Sequence, residues 1–88
     1  MPNVTGRVVE VLVSSDYGWT RIEQEDGSIE KVFIWSEVVA DYSPTQRILH
    51  GAWLALLRDA MTNSLAVDAF APELGTMESL SVRGPGFP

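Results

Sequence analysis

Ser43-Pro44-Thr45-Gln46-Arg47-Ile48-Leu49-His50-Gly51-Ala52-Trp53-Leu54-Ala55-Leu56-Leu57-Arg58-Asp59-Ala60-Met61 breaks an otherwise strand-like chain with a helical pattern. Ser43 has a side chain suited to capping, Pro44 fits the first helical position, and Gln46 completes a capping box. Behind this start come Ile48, Leu49, Ala52, Trp53, Leu56, Leu57, Ala60 and Met61. Their i, i+1, i+4, i+5 spacing is the stripe of an amphipathic helix. Arg47, Gly51, Arg58 and Thr62 lie off the stripe, and Gly51 costs the helix about 1 kcal/mol relative to Ala. Asn63 and Ser64 end it. The spacing predicts a helix over 44–61, about 27 Å long at 1.5 Å per residue.

On both sides of that helix the period is two. Upstream, 5–13 is rich in β-branched residues, with Val8, Val9, Val11 and Val13 beside Leu12. Such a run fits a strand that is buried on both faces, or one that bends and changes its partner. Residues 14–17 read as a turn. A second strand over 18–24 sets Trp19, Arg21 and Glu23 on one face and Thr20 and Ile22 on the other. Glu25-Asp26-Gly27-Ser28 carries Asp-Gly, which tolerates the positive φ of a hairpin turn. A third strand over 29–35 points Val32 and Ile34 one way and Lys31, Phe33 and Trp35 the other. Three strands joined by short turns make an antiparallel meander.

Downstream, 65–71 alternates Leu65, Val67 and Ala69 against Ala66, Asp68 and Phe70. Residues 72–76 read as a turn. A last strand over 77–82 sets Met77, Ser79 and Ser81 against Glu78, Leu80 and Val82. The chain is therefore mainly β with one helix, in the order β-β-β-α-β-β.

That order is similar to an OB-fold, a five-stranded barrel with a helix between strands three and four. Gly6-Arg7-Val8-Val9-Glu10-Val11-Leu12 and Arg21-Ile22-Glu23-Gln24-Glu25-Asp26-Gly27 resemble the opening strands of the bacterial translation initiation factor one family. More loosely, Tyr17-Gly18-Trp19-Thr20-Arg21-Ile22 and Val32-Phe33-Ile34-Trp35 resemble the two RNA-binding motifs of cold-shock domains. The resemblance covers 6–36. It implies that Trp19 and Phe33 stand where the cold-shock family has stacking phenylalanines, and Trp35 where it has a histidine. Arg21 falls in place of a second Phe, Glu10 in place of a Trp and Val9 in place of a Lys. A cold-shock alignment would also make a strand of 51–59, against the capped helical stripe.

Composition bounds the rest. With 88 residues the chain holds one domain, 1–83, followed by a Gly/Pro tail at 84–88 that is expected to fray. A hydrophobic fraction of 45% excludes a fully disordered chain. Six Lys/Arg against twelve Asp/Glu give a net charge of −6, which excludes a strongly basic nucleic-acid coat protein. Zero Cys excludes disulfides and thiolate metal sites and fits a reducing compartment. The first residues lack a signal-peptide pattern, and no apolar run approaches the roughly 20 residues of a membrane helix. The expectation is a cytoplasmic protein without a membrane partner.

Nothing in the chain reads as catalytic. A Gly-rich phosphate loop, a Gly-x-Ser-x-Gly elbow and a His-Glu-x-x-His signature are all missing. His50 is the sole histidine and has no second ligand or nucleophile to work with, so it reads as a surface or boundary residue. Ser14-Ser15-Asp16 has no base nearby. The carboxylates over 23–26 sit at a hairpin tip, where solvent keeps them ionised. The expectation is a non-enzyme without cofactor or metal.

The outer face of strands two and three is the candidate site. Trp19, Phe33 and Trp35 would share it with Arg21 and Lys31. Base–aromatic stacking is worth about 1–3 kcal/mol per base, so three exposed rings with two cations suit single-stranded RNA or DNA. Alternatively the same rings would pack under the helix or against a partner chain, and a single bulge would reverse the face assignment. The six basic residues are scattered, so binding would be weak. The alternative is an acidic protein–protein or self-associating module, using the same aromatics or the helix edge at Trp53 and Met61. Interface cores favour Trp, Tyr, Phe, Met and Arg, and an acidic surface suits a basic partner.

Overall fold

The valines of β1 (Asn3–Val13) mark a change of partner. Asn3–Arg7 pairs antiparallel with β4 (Ala66–Phe70), and Arg7–Val13 with β2 (Gly18–Glu23). A β-bulge between Val8 and Glu10 bends the strand near that change. Val4 and Val8 enter the core, whereas Val9 and Val13 are exposed, so the run reports the bend and not two-sided burial. Fully buried Thr20 donates its hydroxyl to the Glu10 carbonyl at 3.0 Å, so that buried hydroxyl has its partner at the bulge. The computed structural model describes residues 3–15, 17–36, 42–72 and 76–84.

β3 (Ile29–Trp35) pairs with β2 across the Asp26–Gly27 turn. Gly27 takes φ 89°, and the Asp26 carboxylate accepts the Ser28 backbone N–H at 2.9 Å. β5 (Ser79–Arg83) pairs with β4 on the other side. The result is one antiparallel sheet of five strands in the order β3-β2-β1-β4-β5, with one helix between β3 and β4.

The expected barrel does not close into a continuous ring of strands. Among the described residues, β3 and the approach to β5 touch at one parallel bridge between Phe33 and Thr76, where the Met77 N–H donates to the Phe33 carbonyl at 2.6 Å. From Ser79 onward the chain is committed to β4. Met77 is buried in the core, although strand alternation groups it with Ser79 and Ser81, because it precedes β5 and sits beside β3. The predicted turn over 72–76 falls partly, and the tail over 84–88 mostly, outside the described residues.

The helix α1 (Pro44–Asn63) begins as its sequence directs. Ser43 Oγ accepts the Gln46 N–H at 3.1 Å, and Gln46 Oε1 accepts the Ser43 N–H at 2.8 Å. It runs two residues past the predicted end, to a left-handed cap at Ser64 with φ 55°. Trp53, Leu57 and Ala60 meet Val4, Val8, Ile22, Val32, Ile34, Val67, Ala69 and Met77 in the core. The sheet covers just one side of the apolar stripe: Ile48 is 75% exposed, Leu49 43% and Leu56 40%. Of the two residues expected at the uncovered margin, Trp53 is buried and Met61 is exposed. No helix among the described residues is long and apolar enough to cross a membrane.

Candidate functional site

Alternation along β2 carries Trp19 and Arg21 to the outer face, because Gly18, Thr20 and Ile22 are buried. Trp19 lies directly across from Phe33, and Arg21 from Lys31. The Trp19 and Phe33 rings meet edge to face, 6.1 Å apart at 88°, a favoured arrangement of two ring quadrupoles. Lys31 Nζ stands 4.7 Å from the Trp19 ring centre and 5.2 Å from that of Phe33, within cation–π range of both.

Two residues outside the predicted set complete this face. Tyr17 stacks on Trp19 at 5.1 Å with their planes 2° apart. The β1–β2 turn holds it there, with the Ser14 N–H donating to the Tyr17 carbonyl at 2.8 Å. Tyr17 has the parity of Trp19, so the alternation 17, 19, 21 is visible in sequence once β2 is extended back into the turn. Glu10 accepts from Arg21 Nε at 3.1 Å and from Trp19 Nε1 at 3.2 Å. By simple alternation Glu10 would face inward with Val8, but the bulge carries it outward beside Arg21. Its carboxylate compensates the charge of Arg21. Among the described residues Lys31 enters no ion pair.

Trp35 leaves the set. Gly18 pairs with Trp35 and Trp19 pairs with Phe33, so β3 carries one extra residue at that step. The irregularity turns Trp35 toward α1, where it stacks with His50 at 5.6 Å. Tyr42 meets the His50 ring edge-on at 4.6 Å, and Trp53 lies 5.7 Å from it. Trp19, Arg21, Lys31 and Phe33 thus come together, while Trp35 joins a second, structural cluster. His50 sits half-buried inside that cluster. Desolvation and then the Arg47 charge hold its pKa below the usual histidine value.

Elsewhere, an open cleft of about 630 Å³ lies beside the β2–β3 turn and the end of α1, lined in part by Arg7, Glu23, Asp26 and Leu65. Arg7 and Glu23 pair with each other at 2.7 Å, and no aromatic ring lines it. No group of three or more His, Cys, Asp or Glu suited to a metal ion occurs among the described residues. The outer face offers three half-exposed rings, a satisfied indole N–H and, among the described residues, a lysine cation outside any ion pair. No protein-family model matches the chain, and no curated protein or solved structure does either.

Proposed function

We propose that this protein is a small, non-enzymatic, cytoplasmic OB-type module that binds single-stranded RNA or DNA weakly on its β2–β3 face. The observation that carries this is the register of Trp19 against Phe33 with Lys31 over both rings. The strand pairing supports it. β1 is shared between the two halves of the sheet, and β3 meets the approach to β5 in parallel. An OB-fold carries ligands on its strand 2–3 face and its first loop, and Tyr17 lies in the β1–β2 turn of this chain. Bases would stack against Tyr17, Trp19 and Phe33, and Lys31 would meet a phosphate. With one uncompensated cation, the salt dependence is shallow, a log–log slope of about −0.7 per phosphate contact.

One observation favours a second reading. Glu10 neutralises Arg21, and the chain carries a net charge of −6, so a basic protein segment would suit the same rings. Titration of a mixed-sequence single-stranded oligonucleotide, followed by tryptophan fluorescence at low and moderate salt, separates the two. Saturable quenching in the native protein that disappears in Trp19→Leu supports nucleic acid. No quenching at low salt and high concentration overturns it and leaves the basic protein segment.

A further inference from the structure

Successive residues of α1 advance by about 100°, so Ile48, Leu49, Ala52, Ala55, Leu56 and Asp59 share one outward arc. All six are exposed. The neighbouring arc, with Trp53, Leu57 and Ala60, is the one that enters the core. The exposed arc presents three large apolar side chains grouped around two alanines.

We propose that this arc is a self-complementary interface on which a second copy of the chain docks antiparallel, with Ala52 on the two-fold axis. The arc has the same character in both directions from Ala52: Ile48 and Leu56 stand four residues away, Leu49 and Ala55 three, Thr45 and Asp59 seven. An isologous contact needs that property, because the same patch must meet itself. Two-fold pairing sets Ile48 against the partner's Leu56 at both ends and Leu49 against the partner's Ala55, large into small. Ala52 meets its own copy, which lets the helix axes approach to about 8 Å, the short end of the packing range.

Charge agrees with the same register. The first turn of α1 holds no acidic side chain of its own. The two-fold brings the Asp59 carboxylate to the partner's first turn at Thr45, the positive end of the helix dipole, and does so twice. A single helix pair is a small interface by the standard of stable complexes, so the expected dimer is a weak one. The rings of the β2–β3 face lie outside this arc, so the interface does not depend on what that face binds.

The chain has no cysteine, so introduced ones report geometry cleanly. Sedimentation of the native protein is expected to show a monomer–dimer equilibrium in the range of tens of micromolar. Ala52→Arg opposes two like charges on the axis and is expected to weaken the dimer by about tenfold or more. Ala52→Cys should form a covalent dimer on mild oxidation, because Cα atoms at a close two-fold crossing fall within disulfide reach. Arg58→Cys, on a different side of the helix, should not. A monomer at every concentration up to about millimolar overturns the interface. So does a dimer indifferent to Ala52→Arg, or equal cross-linking at 52 and 58. If Ala52→Arg fails to fold, the two cysteine variants decide.

Discussion

Gly18 lies against the indole of Trp35: a β-carbon at position 18 would stand 2.8 Å from Cη2 and 2.9 Å from Cζ2 of that ring. The pair sits at the irregular step of the β2–β3 ladder, and the ring also stacks with His50 of α1. Trp35 therefore has little room to move. Gly18→Ala is expected to destabilise the fold by about 1–3 kcal/mol, as overpacking of a filled site does. Urea unfolding measures the loss, and an unchanged midpoint would mean the indole is free to swing away.

Glu10 acts as a brake on the outer face. Its carboxylate holds both Arg21 and the Trp19 indole N–H. Glu10→Gln removes the charge and keeps the shape, so Arg21 becomes available to a phosphate. Oligonucleotide affinity at low salt should rise several-fold, and the log–log salt slope should steepen by about 0.7, the increment of one more neutralised phosphate. Folding stability should change by less than about 1 kcal/mol, because the pair is solvent-exposed. Native affinity and slope in the variant would exclude Arg21 from the contact.

Gly51 is a stability reserve inside α1. A β-carbon there would meet no atom within 4 Å, and the residue is exposed. Gly51→Ala should stabilise the protein by about 0.5–1 kcal/mol through reduced backbone freedom in the unfolded chain. Ser64→Gly should add about 1 kcal/mol, because Ser64 holds a left-handed conformation that a β-carbon disfavours. Thermal melts of the single and double variants test both, and additivity is expected because the sites are far apart.

His50 makes the fold acid-sensitive near neutrality. Its pKa is lowered in the folded state, first by burial among Trp35, Tyr42 and Trp53 and then by Arg47. The folded state thus binds the proton less readily than the unfolded chain, whose histidine titrates near 6.5. The contribution is fully present above pH ~6.5 and is lost as pH falls through the folded value. Asp26, whose pKa is lowered by its bonds from Ser28, adds a loss of the same sign at lower pH. The melting temperature should therefore drop between pH 7.5 and 5.5, and His50→Phe should flatten that part of the profile while leaving the more acidic limb. A His50→Phe profile that still falls between those pH values would assign the sensitivity elsewhere.

The features legible along the chain are those that neighbours a few residues apart decide. Ser43 and Gln46 cap α1 through bonds spanning three residues. Gly27 turns the β2–β3 hairpin because it tolerates a positive φ. Alternation along β2 places Trp19 and Arg21 outward because strand geometry repeats every two residues. The order of elements, the facing of β2 and most of the core follow from such local rules.

Tertiary structure decided the rest, at points where one residue of register or one side of a helix depends on distant partners. The bulge in β1 carries Glu10 to the outer face, and the irregular step in β3 carries Trp35 away from it. No local signal marks either, because a bulge is selected by how two strands and their buried side chains fit together. The helix stripe offers eight apolar positions in sequence, but the width of the sheet sets how many it can cover. Trp53, Leu57 and Ala60 are taken into the core, while Ile48, Leu49 and Leu56 remain outside it.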